Sequence, residues 1–282
     1  MGWLKHFIRP RIRSLSKREV PEGLWQKCKN CEKILFSRDL EKDLFVCGYC
    51  GFHMMWPVSE RLKNLFDDGV YTTLLCQKVP KDPLRFRDMK KYTDRLEAAR
   101  SKTGSRDAVT VASGKIESYT MIVACFDFGF IGGSMGTEAG ESLVYAASQA
   151  IEQHSPLLVV TSSGGARMQE GALSLMQMPR SVAAILSLKE NRLPFIVLMT
   201  HPTTGGVSAS FASLGDVTLA EPKAIIGFTG PRVIQETSRQ TLPENFQTAE
   251  FQLQHGFLDQ IVSRKDLRCV LSNIVAVLTK SG

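Results

Sequence analysis

Residues 157–170 read LLVVTSSGGARMQE, a short apolar run that ends abruptly in a glycine pair. A run of that length without polar alternation suits a strand buried on both faces. Helical sequence then continues to about Asn191. The same grammar occurs twice more. Met121 to Phe128 leads into Gly129-Phe-Ile-Gly132-Gly133 and a helical stretch from about Glu138 to Gln153. Phe195 to Thr200 leads into Thr204-Gly205-Gly206-Val207 and a Ser- and Ala-rich stretch that reads as a short helix. Three such junctions within about 75 residues predict an α/β core of buried, mostly parallel strands.

A glycine pair where a strand opens into a helix leaves backbone N–H groups unobstructed, and the helix dipole adds positive charge there. Such amides hold an oxygen that gains charge during acyl or enolate chemistry. The competing reading is a tight turn or close packing. Side-chain catalysts are weaker candidates. Gly132-Gly-Ser134-Met-Gly136 matches the G-x-S-x-G elbow, and Asp216 and His255 follow in hydrolase order, but the intervening sequence is not that of an α/β-hydrolase. His154 and His201 adjoin strand ends and read as capping or surface residues. There is no GxGxxG or GxxxxGK[ST] loop, which argues against nucleotide phosphate chemistry.

Four of the seven cysteines, Cys28, Cys31, Cys47 and Cys50, form C-x2-C-x15-C-x2-C. Two turns that each aim two thiolates at one point complete a tetrahedral zinc shell. With four thiolates no position is left for water, so the zinc is expected to be structural, and His53 has no role. A redox pair is the lesser alternative. Cys76, Cys125 and Cys269 read as small core hydrophobes.

The chain has 282 residues, 43% hydrophobic and 22% charged, which excludes a wholly disordered protein. Residues 1–57 read as a basic arm and zinc ribbon, 58–105 as a helical connector with Leu62, Leu65 and Phe66 on one face, and 106–282 as the core. Residues 1–30 carry +6 of the net +7 charge. Beside a ribbon this suggests nucleic acid as one partner, or a solvated arm. No apolar stretch is long enough for a membrane span, and the first twenty residues lack the apolar core of a secretory signal, so the expected compartment is the cytoplasm.

The ribbon together with FGFIGGSMG, SSGGARMQEGALSLMQM, TTGGVSASFASLGD and AEPKAIIGFTGPRVI closely resembles the beta subunits of bacterial acetyl-coenzyme A carboxylase carboxyltransferases, from Trp25 to about residue 265. The resemblance implies a crotonase-like spiral core, one ribbon zinc, and α2β2 assembly with an alpha subunit. It implies transfer of a carboxyl group from carboxybiotin, on a biotin carboxyl carrier protein charged by biotin carboxylase, to acetyl-CoA, giving malonyl-CoA for fatty-acid synthesis. By resemblance Gly205 and Gly206 are the first choice for the oxyanion hole, and Gly164 and Gly165 the second. Arg167 and Arg232 would meet CoA phosphates or fix a loop carbonyl.

Overall fold

The computed structural model describes residues 24–239 and 241–280; the basic arm lies outside them. The ribbon comprises β1 (Trp25–Lys27), β2 (Ile34–Phe36) and α1 (Ser37–Lys42). Then follow α2 (Val58–Leu65), β3 (Tyr71–Leu74), α3 (Tyr92–Thr103), β4 (Val109–Ile116) and β5 (Tyr119–Phe126). The glycine-punctuated region runs through α4 (Thr137–Glu152), β6 (Leu157–Ser163), α5 (Ala172–Leu175), α6 (Gln177–Glu190) and β7 (Phe195–Thr204). It closes with β8 (Val217–Ala220), β9 (Ile226–Gly227), α7 (Pro231–Ser238), α8 (Ala249–Gln254), β10 (Gln260–Ile261) and α9 (Leu267–Lys280).

The main sheet runs β10-β8-β7-β6-β5-β4-β3, with β9 also paired to β7. From β5 to β10 every pairing is parallel, whereas β3, β4 and β5 are antiparallel. Alternate strand residues feed two separate cores, as a period of two requires. Ile122, Ala124, Val159 and Val197 face one cluster with α4 and α6, containing Leu143, Ala146, Ile185 and Leu188. Val123, Cys125, Leu158, Val160 and Leu198 face the other, with Leu62, Leu65 and Phe66 beside Leu271 and Val275 of α9. Both faces are covered, which is why the central strands read as continuous apolar runs. Among the described residues no helix is long and apolar enough to cross a membrane.

Two expected helices differ. The stretch after Arg167 is not continuous: Gly171, at φ 50° and ψ −131°, interrupts it, and α6 starts afresh with Pro179 in its first turn. After Gly206 the chain makes turns and only one short 3-10 segment, Phe211–Leu214. There the hydroxyls of Ser208, Ser210 and Ser213 donate to nearby carbonyls and compete with helix formation. One cysteine also differs. Cys76 and Cys125 are buried, and burial pushes the Cys125 thiol up to about 12, but Cys269 is exposed on α9.

A buried ionic cluster fastens the ribbon at the C-terminal ends of β7 and β8. Glu221, directly after β8 and 1% exposed, accepts from Arg61 Nη1 at 2.7 Å and from Arg264 Nε and Nη2 at 2.8 Å each. Arg264 then donates to three carbonyls at and beside the ribbon, Leu44 (2.7 Å), Phe45 (3.1 Å) and Met54 (2.8 Å). The Trp56 ring has the Arg61 and Arg264 guanidinium groups 4.8 and 5.0 Å from its centroid. His53, for which no role was expected, is buried with Nδ1 3.3 Å from the Glu221 carboxylate. Burial alone would raise the Glu221 carboxyl, but Arg61 and Arg264 outweigh it and hold it well below the ordinary 4.5.

Because the folded-state value is depressed, this contribution is complete above about pH 4.5 and is lost as pH falls toward the folded-state value. Glu221→Gln should therefore cost about 3–5 kcal/mol near neutral pH, the scale for breaking a buried ion pair. Urea-denaturation midpoints of the two proteins across pH measure it; the gap should narrow only on the acid side.

Candidate functional site

The ribbon cysteines converge as their spacing requires. Their four sulfurs all lie within 4.8 Å of one another, with Cys28–Cys50 and Cys31–Cys47 both at 3.7 Å. A tetrahedron with Zn–S bonds of about 2.3 Å has an edge of about 3.8 Å, so these donors fit zinc. Leu40 and Met54 pack against the cysteines, the small core that the metal completes. Chelation should release one zinc per chain and expose amides across residues 25–54, read by metal-release assay and hydrogen exchange. Protection that survived metal removal would refute a structural zinc.

The glycine pairs meet in space. Gly164 N–H donates to the Gly132 carbonyl (2.9 Å) and Met135 N–H to the Gly165 carbonyl (2.8 Å). Arg167 N–H returns to the Met135 carbonyl (3.0 Å), so the loops after β5 and β6 are zipped together. The loop after β7 packs onto this pair without side chains between. A Cβ on Gly165 would sit 3.1 Å from the Gly205 Cα, and one on Gly205 only 2.9 Å from the Gly165 Cα. Both residues also have left-handed φ, +109° and +64°. Close packing thus explains Gly165 and Gly205.

The amides divide differently. Gly165 N–H is taken by Ser163 Oγ (3.0 Å) and Gly205 N–H by the Phe228 carbonyl (2.8 Å), so with Gly164 three of the four are engaged. Gly206 is buried, yet its N–H has no acceptor among the described residues. Ala166, which the sequence reading passed over, has a nitrogen 3.7 Å from where a Gly206 Cβ would stand, and it too has no acceptor there. Buried N–H groups are seldom left so.

Arg167 is 1% exposed. It grips Asp107 through two bonds of 2.7 and 2.9 Å and donates to the Ser134 carbonyl at 2.7 Å, the second of the two roles expected of it. The Arg232 side chain lies outside the described residues. Ser134 Oγ accepts from Arg167 (3.1 Å), Asp216 accepts from Phe195 N–H (2.8 Å), and the His255 ring stacks on Phe251. No hydrogen bond joins any two of Ser134, Asp216 and His255 among the described residues, so no triad forms. His154 is exposed at the end of α4. His201 lies within β7, where Nδ1 accepts from Ile225 N–H; burial and nearby Lys29 lower its pKa. It lines a cavity of about 630 Å³ between ribbon and core with Lys29, Asn30, Phe52 and Lys223. A second, of about 650 Å³, lies beside Trp56–Leu62 and Thr103–Val111; neither is lined by the paired glycines at 164–165 or 205–206.

The carboxyl transferase domain model matches residues 84–265, and the acetyl-CoA carboxylase zinc finger model matches residues 25–50. The chain belongs to the acetyl-coenzyme A carboxylase carboxyl transferase subunit beta family. It is 54% identical to the subunit from Granulibacter bethesdensis, over 99% of this chain and 92% of that one. It is 50% identical to the one from Beijerinckia indica, over 100% and 97%. Among solved structures it resembles the transcarboxylase 12S core (TM-score 0.64, 24% identity, 78% of this chain and 41% of that chain). It also resembles the Pseudomonas malonate decarboxylase MdcD-MdcE hetero-dimer (TM-score 0.58, 23% identity, 78% and 85%). The core is therefore crotonase-like, and its ribbon is the zinc ribbon of this family.

The packing separates the four glycines experimentally. Gly165→Ala and Gly205→Ala should abolish activity and lower the melting temperature, since each meets backbone in a left-handed conformation that costs about 1–3 kcal/mol. Gly164→Ala, whose Cβ would meet only the Gly132 carbonyl at 3.6 Å, should keep the wild-type melting temperature. The one close approach of a Gly206→Ala methyl is to the flexible Met178 Sδ at 2.7 Å, its contact with Ala166 N being an ordinary 3.7 Å, so this variant should fold with a small loss.

Proposed function

We propose that this chain supplies the amide half of a carboxyltransferase active site, with Gly206 N–H as its principal oxyanion donor and Ala166 N–H beside it. The reaction moves the carboxyl group of carboxybiotin onto the methyl carbon of acetyl-CoA, giving malonyl-CoA. Carboxybiotin arrives on a biotin carboxyl carrier protein that biotin carboxylase has charged, and after releasing CO2 its ureido anion takes the methyl proton. The developing enolate carries its charge on the thioester oxygen. Fixed N–H groups in a water-poor site stabilise that charge without reorganising. No side-chain base is required, consistent with the dispersed Ser134, Asp216 and His255.

An alpha subunit completes the site in an α2β2 assembly. Met168, Leu173, Leu175 and Met176 are large apolar side chains exposed within nine residues of the glycine loop, the kind of surface a partner covers. The zinc holds the ribbon in shape and takes no part in bond making.

The carrying observation is the amide of buried Gly206, which has no acceptor among the described residues and stands where two glycine loops touch. Glycolate in place of Gly206 turns that amide into an ester, which removes the N–H and weakens the Gly205 carbonyl as an acceptor for Ala209 N–H and Ser208 Oγ. In the assembled enzyme, malonyl-CoA decarboxylation coupled to biocytin carboxylation should slow by about 10²–10³ in kcat, the usual cost of one oxyanion donor. An unchanged kcat would dismiss Gly206 as the donor.

A further inference from the structure

The two zipped loops are held from beneath by a closed polar network that the carboxyl-transfer chemistry does not itself use. Tyr92, at the first position of α3 and fully buried, donates its hydroxyl proton to Glu170 Oε1 at 2.6 Å and accepts from Arg167 Nη1 at 3.1 Å. Glu170 Oε2 accepts from Thr137 N–H (2.6 Å) and Thr137 Oγ1 (2.5 Å), which fixes the start of α4. Arg167 ties the same network to Asp107 and to the Ser134 carbonyl and hydroxyl. Burial pushes the Tyr92 phenol above its ordinary value, so it remains a proton-bearing donor. Room for the cluster depends on Gly136, where a Cβ would stand 2.4 Å from Glu170 Oε1 and 2.9 Å from Arg167 Nη1.

We propose that Tyr92 is a positioning residue for carboxyl transfer. Its hydroxyl bonds both Glu170 and Arg167, which themselves form a long ion pair of 3.5 Å, and together with Asp107 it sets where the guanidinium stands. The guanidinium sets the separation of the 131–136 and 163–167 loops. Through the contact between Gly165 and Gly205, that separation aims the Gly206 N–H. Without the hydroxyl, carboxylate and guanidinium close on each other and drag Arg167 off the Ser134 carbonyl. The proposal rests on the reading of Gly206 as the oxyanion donor and extends it to a residue from the helical connector.

Tyr92→Phe removes one oxygen and keeps the ring. In the zinc-loaded assembly with the alpha subunit, kcat should fall about ten- to a hundredfold, the scale of a small misplacement of a reacting group. KM for malonyl-CoA and biocytin should stay within about twofold, and zinc content and assembly should be unchanged. The decisive measurement is a double-mutant cycle with the Gly206 ester. If Tyr92 acts through that amide, Tyr92→Phe should cost less than about twofold once the ester is in place. If the ester slows the enzyme and Tyr92→Phe costs the same in both backgrounds, the positioning role is overturned while the oxyanion reading stands. If the ester costs nothing, the oxyanion reading fails and takes this one with it. A Tyr92→Phe enzyme with unchanged kcat also overturns the proposal. Should Tyr92→Phe fail to fold, Glu170→Gln, which keeps the shape and weakens the acceptor, goes through the same cycle with the same outcomes.

Discussion

Two stretches of backbone from different strand ends touch at Gly165 and Gly205, where a methyl group on Gly205 would overlap the Gly165 backbone and one on Gly165 would be tightly crowded by the Gly205 backbone. That contact is the constraint from which the geometry of the site follows. Backbone donors are useful for catalysis only when their direction is fixed before charge develops. A peptide N–H has no rotatable side chain to aim, so the aiming must be done by whatever holds the peptide plane. Here the plane between residues 205 and 206 is held by the loop it packs on and by the bonds that the Gly205 carbonyl accepts from Ala209 N–H (3.0 Å) and Ser208 Oγ (2.9 Å). The loop beneath is held in turn by three backbone bonds and a buried guanidinium.

The ribbon is attached by a different means. Its own core is small, Leu40 and Met54 around four cysteines, and a core of that size needs a metal to be stable. Its place on the core is set by charge and hydrogen bonding: Arg264 donates to three carbonyls on one side and to Glu221 on the other. Lys223 adds a bond from its ammonium to the Cys50 carbonyl at 2.8 Å. This makes the ribbon a fixed wall over the C-terminal ends of β7 and β8, and residues of both parts line the cavity around His201.

What the sequence discloses depends on how local the physics is. The zinc ligands are legible because each pair sits on one turn and the donor atoms belong to the named side chains. The central strands are legible because burial on both faces leaves no polar alternation. The β4–β5 hairpin is hidden because its turn residues are Glu117 and Ser118, both with positive φ, where Asn-Gly would be expected. Their N–H groups are held by Asp67, fifty residues earlier, through two bonds of 2.9 Å, which compensates for the unfavourable residue types. The glycine pairs are visible, but which amide stays free is decided by acceptors such as Phe228 that lie far along the chain. Cys269 reads as a core residue beside Val270 and Leu271, yet it falls on the outward side of α9, a matter of helix phase. Tyr92 carries no signal at all in a segment dominated by Lys, Arg and Asp.

The two buried ionic clusters share a property that bears on why they exist. Glu221 joins Arg61 across 160 residues and Arg264 across 43; Arg167 joins Asp107 across 60 and Tyr92 across 75. Buried ion pairs are weak devices for stability, since desolvation cancels much of their attraction and apolar residues of similar volume do as well. They are strong devices for registry, because a charge in the wrong place inside a protein is far more costly than a methyl group in the wrong place. Hydrophobic attraction between layers is non-directional, so it does not need each group aimed. An oxyanion donor does, since a displacement of about 1 Å can cost a hundredfold in rate. The buried charges lie where distant segments must be held to that tolerance: under the glycine loops, and where the ribbon meets the core.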